Sequence, residues 1–225
     1  MFPMAILYGL AELLIPELAR CSAAGSNDRI RYLARRSLKL AVLYGCLFCG
    51  TLFLLSEDIC LRLYDNRDAA VYLRMFSLLA PMLYCDAITD AMIKGLGQQT
   101  ACVRYNILTT GLDVLLLFVL LPKYGMEGYY FSFLLTHLLN FILSLRRLLR
   151  LTGKLLSPAI PALTLSATAV SVMLAKTLSN AWWQCGLYFM LLGCLLFLLR
   201  VVSMEDIIWI KGLIHKKKAL PSDSC

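Results

Sequence analysis

Seven apolar segments recur along the chain, at residues 1–19, 38–55, 71–93, 103–121, 128–145, 158–178 and 183–199, separated by short charged clusters. Each is close to the roughly 17–25 residues an α-helix needs to cross a bilayer core. Backbone polar groups inside lipid must be satisfied internally, so many separate segments of this length fold as a helical bundle. Composition points the same way. With 60% hydrophobic residues, 16% charged and a mean hydropathy of +0.73, the chain lies outside the soluble range of about 45–50% apolar and about 25% charged. The expected fold class is all-α integral membrane, with about seven transmembrane helices.

The net charge of +8 is distributed as insertion rules require and not as a nucleic-acid footprint. Of the 22 Lys and Arg residues, 17 fall on one side of this topology, including Arg20, Arg29, Arg31, Arg35, Arg36 and Lys39, and 5 on the other. The positive-inside rule makes the richer side cytoplasmic, with a cytoplasmic C-terminus, and sets Trp182 and Trp183 at the outer interface. No nucleic-acid partner is expected. Residues 20–37 form a basic amphipathic connector; Ile30 and Leu33 would rest on the membrane surface, or the segment is a solvated link. The first segment lacks a basic leader region and is expected to stay on the protein. The topology puts Met1 on the external face, which suggests the later part of a longer protein or a truncated product.

The nine cysteines are scattered, most of them inside apolar segments. They read as small packing residues, and the CxxC string Cys46–Cys49 lies mid-span without partners for a metal or redox site. HExxH, a phosphate-binding glycine loop and a GxSxG elbow are all missing, so the chain is expected not to be an enzyme and to carry no metal centre.

Acids inside the spans are costly unless they face a partner or a cavity. Five fall there: Glu12, Glu17, Asp86, Asp90 and Asp113. At 100° per residue, Asp86, Asp90 and Lys94 share an arc of about 80°. Asp90 and Lys94 are spaced to pair, leaving Asp86 deeper and unpaired, and Pro81 one turn away would kink the helix. The stripe either lines a polar cavity or acts as glue between helices. Asn106, Thr109 and Asp113 share another face, where oxygen atoms around one carboxylate suit a monovalent cation or proton, or bond to a neighbouring helix. His137 and Asn140 add polar atoms, His137 more as a hydrogen-bond partner than as a ligand. Gly95-Leu96-Gly97 should end a helix in a tight turn.

One order of features is distinctive. A proline-bearing helix ends "LLIPELARCSAAGSNDRIRYLARRSLKL", a short outer segment reads "LLSEDICLRLYDNRDAAVYLRMFSLLAP", and "AMIKGLGQQTACVRYNIL" precedes "LLPKYGMEGYYFSFLL". This succession resembles the C-terminal half of polysaccharide and lipid-linked-oligosaccharide flippases of the multidrug/oligosaccharidyl-lipid/polysaccharide exporter superfamily, most closely the stage V sporulation protein B group. The resemblance implies a two-lobed, alternating-access transporter of the bacterial cytoplasmic membrane, with this chain as the second lobe plus two trailing helices. Residues 1–150 would be the lobe, 151–200 the trailing pair and 201–225 a basic cytoplasmic tail. It implies an undecaprenyl-linked polysaccharide or peptidoglycan precursor as cargo, membrane lipids and a missing N-terminal lobe as partners, and a coupling cation or proton as the sole cofactor. Asp113, Thr109 and Asn106 would be the cation candidates, and Asp86, Asp90 and Arg20 the cavity candidates. A cation-coupled multidrug exporter and a nontransporting remnant or scaffold are the alternatives.

Overall fold

A computed structural model of the protein describes residues 2–153, 159–178 and 180–199. The order is α1 (Phe2–Ala23), α2 (Asn27–Tyr64), α3 (Asp68–Ser77), α4 (Ala80–Gly95), α5 (Gln99–Thr152), α6 (Ala159–Ala175) and α7 (Ala181–Leu198), without a strand among the described residues. The basic segment 201–225 lies outside them. The chain is an all-α membrane protein; α2 and α5 are the clear apolar spans, α3 and α4 make a third when joined, and α6 is a shorter apolar helix, as is the stretch Trp182–Leu198.

Seven labels hide a different division from the seven segments of the sequence. Fifty-four residues of helix would run about 80 Å, more than twice a hydrocarbon core of about 30 Å. At Gly125 the backbone leaves helical geometry (φ 57°, ψ −134°), a conformation open to glycine and not to residues with a Cβ. There α5 doubles back. Ser132 on the second arm, 126–152, donates to Asp113 on the first arm, 99–124, so the arms lie antiparallel. Conversely, the span at 71–93 is broken. α3 and α4 meet at 46°, and Pro81 sits in the first turn of α4, where its missing N–H is no loss. The proline opens α4, and the expected bend falls at the break just before it. The glycine turn forms as expected: Gly97 (φ 74°) follows α4, with Gly97 N donating to Lys94 O and Gln98 N to Ile93 O, each at 3.0 Å.

The connector differs from its expectation. Residues 27–37 are the opening turns of α2, and Ile30, Ala34, Leu38 and Ala41 form one buried stripe, none more than 6% exposed. This i, i+4 series faces the core. Neither a surface-lying helix nor a solvated link describes it.

α4 is central and packs on α1, α2 and α5. One apolar core joins these four helices, built from residues such as Leu18, Ala34, Cys46, Ile88, Met92 and Leu148. A second joins α2 to α6 and α7 through Leu54, Ala167, Tyr188 and Leu192. Tyr188 is fully buried and donates to Cys46 O at 2.9 Å; its ring occupies the space a Cβ on Gly50 would need. At the end of α2, Arg74 binds Ser56 Oγ at 2.7 Å and Glu57 at 3.2 Å, fixing α3 alongside.

Candidate functional site: an acidic cavity between three helices

A cavity of about 340 Å³ opens between α1, α4 and both arms of α5. α1 contributes Tyr8 and Glu12, α4 contributes Asp86, Asp90 and Lys94, the first arm Asn106, Thr109 and Asp113, and the second arm Thr136, His137 and Asn140. Five of the six sequence candidates converge here. Arg20 does not line it; it is exposed in the last turn of α1. Glu17 is also outside, joined to Arg29 at 2.7 Å.

The aspartates are held by neutral donors. Asn140 Nδ2 donates to both oxygens of Asp86, at 3.2 and 3.1 Å. His137 Nδ1 stands 4.0 Å from Asp86 Oδ2, its ring tilted against Phe133 with centroids 4.2 Å apart. Ser144 Oγ donates to Asp90 Oδ1 at 2.9 Å and Asn106 Nδ2 to Oδ2 at 3.3 Å. The expected Asp90–Lys94 pair is not formed: the two carboxylate oxygens face α5, and Lys94 is exposed on the cavity rim. Asp113 Oδ1 accepts from Ser132 Oγ at 2.7 Å and Thr136 Oγ1 at 3.1 Å, and Oδ2 receives no hydrogen bond from the described residues.

The three cation candidates share the cavity wall but point to different partners. Asn106 is turned toward Asp90 and Cys102, and Thr109 Oγ1 returns to the carbonyls of Tyr105 and Asn106. Among the described residues no three acidic, imidazole or thiol groups come close enough to hold a metal ion. A cation here would rest on one carboxylate with hydroxyl and amide oxygens around it.

Sequence reasoning missed Ser132 and Ser144 and did not place Thr136. A signal was present. Gly128, Ser132, Thr136, Asn140, Ser144, Leu148 and Thr152 are the buried residues of the second arm, small or polar at nearly every fourth position. Such a face lets helices approach closely and presents hydroxyls and amides across the contact.

Broken helices around polar groups at membrane depth form the architecture of a transporter lobe. Residues 1–119, just over half of the chain, match the MatE family, and the chain belongs to that family of membrane transporters. A solved structure titled "Lipid II flippase MurJ, inward closed conformation" has a similar fold, with a TM-score of 0.67 at 13% identity. The alignment covers 94% of this chain and 46% of that one, so the chain spans about half the length of the flippase. A search of the curated proteins finds no match.

Proposed function

We propose that the chain is one lobe of an exporter that flips undecaprenyl-linked polysaccharide or peptidoglycan precursors across the bacterial cytoplasmic membrane, its C-terminus on the cytoplasmic side. The second lobe completes the cavity, and rocking of the two lobes gives alternating access. Within the family, the order of basic segment, short outer helix and glycine turn supports a place beside the stage V sporulation protein B group. The observation that carries the reading is the cavity: three aspartates, on two helices, kept at membrane depth by hydroxyls and amides and not cancelled by Lys or Arg. Such charges mark ion and substrate paths. Asp113, with Thr109 and Asn106 on the same wall, is the site for a coupling monovalent cation or proton, and Asp86 and Asp90 line the cargo path.

One observation favours a second reading. Glu12, Asp86, Asp90 and Asp113 outnumber Lys94 as charged groups around the cavity, and that balance suits a cationic cargo. A cation-coupled drug exporter would use the same acids to bind it.

Proteoliposome assays with the complementary lobe present separate the two. The first reading expects a fluorescent undecaprenyl-linked precursor to move and a cationic dye not to, and Asp113→Asn to slow movement about tenfold or more, the loss of roughly 1.4 kcal/mol of coupling. Dye efflux without precursor flipping would transfer the assignment to the drug exporter. Movement of neither cargo would leave the nontransporting scaffold.

A further inference from the structure

At the opposite end of α4 from its break, three chain segments meet around a second, smaller cavity of about 170 Å³. Ser22, Asn27, Ile30 and Arg31 come from the α1–α2 junction, Leu96 from the α4–α5 turn, and Leu151 with Thr152 from the end of α5. The volume is roughly six times the ~30 Å³ of a water in the liquid, enough for a phosphodiester group. The cargo cavity shares no lining residue with it.

Its chemistry is that of an anion site with an apolar floor. Arg31 Nε donates to Thr152 O at 2.8 Å, which fixes the guanidinium at the α5 terminus and leaves its Nη donors unspent on that bond. Neither the Ser22 hydroxyl nor the Asn27 amide bonds to another described side chain or backbone group. Ile30 is buried beneath them, and Leu96 and Leu151 complete an apolar wall. The cleft also lies at the end of the bundle where Arg29, Arg35 and Arg150 gather, of which Arg29 is neutralised by Glu17. On the topology proposed above, this end sits at headgroup level on the basic face, where anionic phospholipid is the neighbouring molecule.

We infer that the cleft bounded by Arg31, Ser22 and Asn27 binds the phosphate of an anionic phospholipid, with the lipid's first apolar atoms against Ile30, Leu96 and Leu151. The bound lipid ties the α1–α2 junction to the end of α5. Its occupancy does not depend on the cargo assigned to the acidic cavity.

The test uses the full chain in nanodiscs of phosphatidylcholine containing a minor fraction of phosphatidylglycerol, with retained lipids counted by native mass spectrometry. Wild type is expected to retain phosphatidylglycerol over phosphatidylcholine about fivefold, the scale of one basic residue at an anionic surface. Arg31→Gln should erase most of that preference and Arg35→Gln little of it. Arg31 also holds the end of α5, so the double variant Ser22→Ala with Asn27→Ala, exposed residues with no partner to lose, provides a second arm and should lower the preference at least twofold. Equal losses in Arg31→Gln and Arg35→Gln would reduce the effect to general surface charge and overturn the site. So would an unchanged preference in the double variant. Displacement of phosphatidylglycerol by millimolar inorganic phosphate would reassign the cleft to free phosphate.

Discussion

The two cores of this protein handle buried polar groups in opposite ways. Around α4 and α5, side chains bond across helices: Asn140 to Asp86, Ser144 to Asp90, and Ser132 and Thr136 to Asp113. In the α2–α6–α7 core, the hydroxyls of Thr164 and Thr168 return to carbonyls of their own helix, at 2.7 and 2.8 Å; the links across helices are to neutral groups, Tyr188 to a backbone oxygen of α2 and Thr168 to the Cys46 thiol. A hydroxyl bonded within its own helix is satisfied wherever the helix sits. A carboxylate held from another helix is satisfied in one arrangement only. The first core thus has its geometry specified by polar contacts, and the second by shape.

Three substitutions sharpen that contrast. Asn140→Leu strips Asp86 of both hydrogen bonds while leaving it buried, and should cost about 3 kcal/mol, read as lowered resistance to denaturant in detergent. Gly50→Ala places a Cβ within the Tyr188 ring; displacing that ring should cost about 1–3 kcal/mol and loosen α7 from α2, visible as faster proteolysis between them. Thr164→Val removes a buried hydroxyl that bonds only to Ile160 O, and stability should change by less than about 0.5 kcal/mol. If Thr164→Val proved as costly as Asn140→Leu, the division between the two cores would fail.

Much of the first core was legible in the sequence. The apolar segments and the Gly95-Leu96-Gly97 turn depend on local composition and helical period, and they stand where those rules put them. What the sequence did not reveal is which group each aspartate meets. Asp90 and Lys94 had the spacing of a pair, but a neighbouring helix offered Ser144 and Asn106 instead, and the choice depends on how α4 and the second arm of α5 are set against each other. Residues 27–37 were obscured for another reason: their arginines dominate the average, while the buried stripe from Ile30 to Ala41 occupies only every fourth position. Pro81 shows a third limit, since a proline inside a span and one at a helix start differ only in where the preceding helix stops.

The Asp86–Asn140 and Asp90–Ser144 bonds each join residues 54 apart. During synthesis both aspartates therefore leave the ribosome well before their donors, by about 3–10 s at about 5–20 residues per second. For that interval the third span must be sheltered by the insertion machinery or held near water. The bilayer receives a finished lobe only after the hairpin at Gly125 has brought the second arm back.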